Sequence, residues 1–206
     1  MTESRLMQLS YLPFAVIVYA VLLVPVLIVT LTSFTTATAP TVPTDGISLE
    51  WYRELLNSGQ IMGALVVSTI VAVTSAVLSG IIGTVTAFGF VRAEFPYKET
   101  LSTFLLLPLM ISPVITGLAI VQYAGRVGLT GNFTPLILGH VVLTLPYVFL
   151  IIRARLVTFD DTLEQASWTL GANKLETVLN VTLPIVAPSV LTGILIAFVV
   201  SFGEFT

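Results

Sequence analysis

Within the long apolar stretches of this 206-residue chain few side chains could do chemistry: Gln122 with Tyr123, then His140, then Glu204. A carboxylate deep in hydrocarbon costs about 2.5 kcal/mol or more by insertion scales, so Glu204 is expected to face a cavity or a partner. It is the first candidate for a residue lining a solute pathway, with Gln122 and Tyr123 beside it. His140 has no second His, Asp or Glu within its own apolar run, and reads as a hydrogen-bonded structural histidine rather than a ligand. No metal site is expected. Only two lysines are present, Lys98 and Lys174, and neither belongs to a Gly-Lys-Ser/Thr phosphate loop. There is no His-Glu-x-x-His and no Gly-x-Ser-x-Gly, and the absence of cysteine excludes disulfides, thiolate metal sites and a cysteine nucleophile. The chain is therefore read as no enzyme, with no cofactor of its own.

The elements that position these residues are set by composition. Hydrophobic residues make up 56% and charged residues 9%, against about 25% charged in an ordinary soluble domain, so lipid is the main solvent. The net charge of -3 offers no basic surface to nucleic acid. Runs long enough to cross about 30 Å of hydrocarbon cover roughly Tyr11 to Phe34, Ile61 to Phe90, Leu101 to Tyr123, Asn132 to Ile152, and Ile185 onward. This predicts an all-α, polytopic membrane helix bundle. The first run is too long for a signal-peptide core, and Pro40 just after Ala37-Thr38-Ala39 argues against cleavage there. With the N-terminus inside, Arg5, Arg92, Lys98, Arg153, Arg155 and Lys174 are cytoplasmic, and only Arg53 and Arg126 are outside. The sequence stops at Thr206 inside the fifth run, so a sixth span is expected beyond it. The expected division is 1–60, a span and external loop, followed by 61–206, the main transmembrane domain.

Two rows of small residues mark the second run: Ser68, Ala72, Ala76, Gly80 and Thr84, then Ser75, Ser79, Gly83 and Ala87. Such rows let helix backbones approach closely in lipid, which predicts a helix central to the bundle. In the third run Pro108 and Pro113 each remove a backbone hydrogen bond and Gly117 follows, predicting a broken helix of the kind that lines transport pathways. Pro146 places a weakness in the fourth.

Between Glu164 and Pro184 lies a polar island flanked by apolar runs. Asp161 stands three residues before Glu164, and Asn173 three before Glu176, so each pair can close a capping box. Gly171 sits between them, where a left-handed C-terminal cap needs a residue without a Cβ. The segment reads as short helix, glycine turn, short helix, with Pro184 as the first-turn proline of the next span.

This pattern resembles the coupling loop of the inner-membrane permease subunits of binding-protein-dependent ABC importers: Glu-Ala-Ala, three residues, Gly, nine residues, Ile, one residue, Leu-Pro. Here the signature falls on Gln165, Ala166 and Ser167, then Gly171, Val181, Leu183 and Pro184, with Glu164 supplying a carboxylate one position early. The resemblance implies a cytoplasmic loop, 153–184, gripped by a separate ATPase dimer that carries ATP and magnesium. It also implies a second permease subunit and an external solute-binding protein. The stretches Trp51-Tyr52-Arg53-Glu54-Leu55, Val91-Arg92-Ala93-Glu94-Phe95-Pro96 and Phe202-Gly203-Glu204-Phe205 are most similar to permeases of the spermidine/putrescine group, which borders on those for iron, thiamine, sulfate and molybdate. The alternative from another class is a fragment of an ion-coupled secondary transporter. That reading requires intramembrane ionisable pairs, for which only Glu204 and His140 are available.

Overall fold

A computed structural model describes residues 3–36, 46–129 and 131–204, with side chains from Tyr11 onward. Ala37, Thr38, Ala39 and Pro40, on which the cleavage argument turns, lie outside the described residues, as do Phe205, Thr206 and the side chain of Arg5. The helices in chain order are α1 (Glu3–Thr32), α2 (Glu50–Asn57), α3 (Gly59–Arg92), α4 (Lys98–Leu106), α5 (Pro113–Arg126), α6 (Phe133–Val157), α7 (Asp161–Thr169), α8 (Lys174–Thr177) and α9 (Leu183–Gly203). Among the described residues the sole extended pairing is an isolated antiparallel bridge between Thr35 and Ile47. The fold is an all-α polytopic bundle. Among the described residues four helices are long and apolar enough to cross a membrane, or up to five if one bent pair counts as a span.

The chain divides into two compact units, Met1–Ala64 and Leu65–Thr206. In the first, the Tyr11–Thr32 part of α1 is apolar on every side and long enough to cross a membrane. Its exit is latched to α2: the Tyr52 hydroxyl lies 2.8 Å from Ser33 Oγ, and Trp51 Nε1 donates to the Thr35 carbonyl at 2.9 Å.

The core of the second unit is built by α3, α6 and α9. All but one of the buried residues of α3 fall on the two small-residue rows: Ala72, Ser75, Ala76, Ser79, Gly80, Gly83 and Ala87, joined by Val71. Close approach is the reason. A Cβ on Gly83 would stand 2.8 Å from Val148 Cγ1, and one on Gly193 of α9 would stand 3.2 Å from the same atom. Val148, fully buried, thus occupies a slot between two glycines of different helices. Below it Phe149, Ile152, Leu156 and Val186 continue the core, with Phe149 edge-on to Phe90 at 5.2 Å. Ser79 Oγ meets Thr144 Oγ1 at 2.7 Å, and Ser75 Oγ donates to the Ile137 carbonyl at 3.3 Å. Interhelical hydrogen bonds in lipid average only about 0.6 kcal/mol, so packing carries most of the cohesion.

The third apolar run is broken, as expected from its prolines. α4 and a tight 3₁₀ turn, Leu107–Met110, meet α5 at an angle of 97°. Pro108 and Pro113 each lie in the first turn of a helical segment, where a missing N–H costs nothing, and the break falls between them. Pro146 does lie inside α6, and is fully buried there. α6 runs five residues beyond the expected end at Ile152, so Arg153 and Arg155 belong to its last turns rather than to the loop that follows.

Candidate functional site

Helix α7 begins one residue earlier than its capping pattern suggested. The cap is Asp160, whose carboxylate accepts the Thr162 N–H at 3.0 Å and the Thr162 hydroxyl at 2.7 Å. These bonds, the hydroxyl's first, hold the Asp160 carboxyl below its ordinary pKa. The lowered pKa means that the cap is complete at neutral pH and is lost as pH falls through that value. Asp161 and Glu164 do not form a capping box. Both are instead turned to Arg92, the last residue of α3.

Arg92 Nη1 lies 2.7 Å from Asp161 Oδ1, and Nη2 lies 2.9 Å from Glu164 Oε1. Glu164 is 5% exposed, and the same Oε1 accepts the Thr182 hydroxyl at 2.7 Å. The guanidinium also lies over the Phe159 ring, 5.7 Å from its centroid. A buried carboxylate is stable only when its lone pairs are satisfied by such donors.

The remaining geometry of the loop follows its sequence. Gly171 has φ +91°, the Ala172 N–H donates to Ser167 O at 3.2 Å, and the Gly171 N–H donates to Trp168 O at 3.0 Å. This is the Schellman arrangement, closed by a residue that needs no Cβ. The second capping box forms in full: Asn173 Oδ1 accepts the Glu176 N–H at 2.9 Å, and Glu176 Oε2 accepts the Asn173 N–H at 2.8 Å. Ser167 Oγ lies 3.1 Å from Thr177 Oγ1, tying the two short helices together. α8 does not end before the span. It continues through a wide π-helical turn, Val178–Thr182, into α9, giving one helical rod from Lys174 to Gly203. Pro184 has no N–H to return to the Asn180 carbonyl four residues back, and the widened turn sits just ahead of it. Val181 and Leu183 are half-buried, whereas Gln165, Ala166 and Pro184 are exposed.

Four large apolar side chains of α7, its closing turn and α8 are left uncovered by the described residues. Leu170 is 89% exposed, Leu175 67%, Trp168 44% and Leu163 43%.

At the opposite end of the bundle, Glu204 closes α9 and lines a cavity of about 180 Å³ with Val67, Ser68, Val71, Leu136, His140 and Ser201. His140, expected to be a hydrogen-bonded structural residue, bonds Ser201 Oγ through Nδ1 at 2.7 Å. It also walls a second, mainly apolar cavity of about 200 Å³ between α5 and α6. Glu204 and His140 are thus brought together, while Gln122 and Tyr123 are exposed on α5 and line neither cavity.

Sequence reasoning missed Arg92, Thr182 and Asp160 as members of these sites. For Asp160 a signal existed in Asp-Asp-Thr, where the first carboxylate is two residues from a hydroxyl donor. For Arg92 and Thr182 none existed, because their partner is 72 and 18 residues away.

Residues 79–206 match the family described as "Binding-protein-dependent transport system inner membrane component". The chain is 30% identical over 191 residues to the spermidine/putrescine transport system permease protein PotC of Haemophilus influenzae, covering 93% of this chain and 74% of that one. It is 31% identical over 193 residues to the putrescine transport system permease protein PotI of Escherichia coli, covering 90% and 68%. A bacterial ABC transporter involved in the import of the acidic polysaccharide alginate shares the fold, with a TM-score of 0.71 at 16% identity over 100% of this chain and 74% of that one.

Proposed function

This chain belongs to the family of binding-protein-dependent transport system inner membrane components, and from that premise we propose that it is the permease subunit of an ATP-driven importer whose α7–α8 segment docks on a separate cytoplasmic ATPase. The observation that carries this reading is the exposed apolar set Leu163, Trp168, Leu170 and Leu175 on helices that are otherwise fully capped and tied to α3 and α9. A rigid segment passes on the motion of its partner, and a floppy one would absorb it. ATP and magnesium belong to that partner. A second permease subunit and an external binding protein complete the assembly in the cell membrane, with the N-terminus of this chain inside.

Solute passes the cavity beside Glu204, and its class is a polyamine. The carboxylate attracts an ammonium more strongly in low dielectric than in water, and the cavity is what makes its charge tolerable there. Similarity to PotC and PotI points to the same class.

Purification of the tagged chain from its native membrane should bring down an ATPase chain. Gly171→Val, which forces a β-branched residue to φ +91° where no neighbour crowds it, should reduce that recovery without loss of membrane insertion. Unchanged recovery with the Val variant would count against α7–α8 as the contact. With no native cysteine to interfere, an impermeant thiol reagent should label Ser48→Cys but not Thr169→Cys in intact cells. Glu204→Gln should lower putrescine uptake and leave ATPase recovery unchanged. Uptake at the wild-type rate, or a transported solute that is an anion, would make the carboxylate structural.

A further inference from the structure

We propose that Arg92 is the positioning residue that couples the docking segment to the bundle, by holding α7 to the end of α3 while Glu164 hands the same connection to the root of α9. This rests on the reading of α7–α8 as the ATPase contact and goes beyond it, because it specifies which bonds carry the motion inward.

By chain connectivity alone, α7 reaches the membrane helices through two links. One is the turn 158–160 from α6, and the other is the run through α8 and the π-helical turn into α9. No covalent path of comparable length joins α7 to α3. The guanidinium supplies it, with one nitrogen on each of two carboxylates of the first turn of α7, at 2.7 and 2.9 Å. The planar fork fixes direction as well as distance, which a lysine could not do. Glu164 is shared, since its Oε1 also receives the Thr182 hydroxyl at 2.7 Å. Thr182 is fully buried and is the last residue of the widened turn just before Leu183 and Pro184. One carboxylate oxygen therefore joins the last residue of α3 to the hinge at the start of α9. These two helices carry Ser68 and Ser201 into the cavity at the far end. Displacement of α7 cannot leave α3 behind unless this bond breaks. Arg92 also lies against Phe159, which excludes water from one side of the junction.

The experiment uses the full complex with its ATPase, in proteoliposomes, and needs no knowledge of the solute. Ser68→Cys provides a thiol in the far cavity of an otherwise cysteine-free chain. Its labelling rate by a maleimide is measured with and without ATP and vanadate. With Arg92 intact, trapping should change the rate by about tenfold, the scale of an ordinary coupling free energy. With Arg92→Gln the nucleotide effect should fall to less than about twofold, while the ATPase remains bound and hydrolyses ATP. Arg92→Lys should restore only part of it. Glu164→Gln, which keeps an oxygen for Thr182 but loses the charge, should fall between Arg92→Lys and Arg92→Gln. It also serves as the test if Arg92→Gln does not assemble. An Arg92→Gln or Glu164→Gln complex that holds its ATPase and shows the full nucleotide effect would overturn the coupling role of Arg92 and leave the docking surface standing. A wild-type chain that recruits no ATPase would overturn both.

Discussion

The two ends of the second unit are built on opposite physical lines. At the α7 end a set of polar side chains is tied together: Arg92 to two carboxylates, Glu164 to two donors, Asn173 and Glu176 to each other, and Arg153 to Ser102 at 2.9 Å. At the Glu204 end the protein leaves a cavity of about 180 Å³ among side chains of α3, α6 and α9, with a histidine–serine bond beside it. The difference teaches where rigidity is placed. Bonds are concentrated where force would be received, and space is kept where a solute would pass. Between them stands the Val148 slot, which joins the ends by packing alone.

Breaking the slot should have the largest effect. Gly83→Val would drive a Cβ to within 2.8 Å of Val148 Cγ1 and 3.4 Å of the Phe149 backbone nitrogen, at a cost of about 3 kcal/mol. A clear fall in the melting temperature of the purified protein is expected, and an unchanged melt would mean that the slot yields. Next comes Glu164→Ala, which takes the acceptor from the buried Thr182 hydroxyl and leaves Arg92 with Asp161 alone. A loss of about 2 kcal/mol is expected, read as faster hydrogen exchange confined to α7 and the π-helical turn. Exchange that rises evenly over the chain would show that the junction is not a separate unit. Asn173→Ala removes one capping box at about 1 kcal/mol, visible as local exchange in α8 only. Glu204→Gln should alter stability least, by less than about 0.5 kcal/mol, because it keeps the shape of a side chain that borders open space rather than a packed core. A large destabilisation there would erase the contrast between the two ends.

Features set by neighbours in the chain were legible before the structure. The small-residue rows of α3, the glycine turn at Gly171 and the Asn173 box are local rules of helix packing and capping, and each stands where its spacing places it. Tertiary demands redirected the others. Glu164 follows Asp161 at capping-box spacing, yet a guanidinium outcompetes a backbone N–H for its carboxylate once α3 brings Arg92 alongside. Pro108 and Pro113 marked the broken helix, but their spacing did not show the 97° bend or that each proline opens a segment. The link between Glu204 and His140 required α6 and α9 to be packed side by side, which apolar periodicity cannot specify because both helices are apolar on every face.

The central claim is that the exposed apolar set on α7–α8 is covered by an ATPase. A photo-crosslinking residue at Leu170, 89% exposed, tests it directly, with Val199 on the flank of α9 as the comparison site. Irradiation of native membranes should join the Leu170 variant to the ATPase chain and leave the Val199 variant free of that adduct. An intact complex in which Leu170 yields no ATPase adduct would contradict the account.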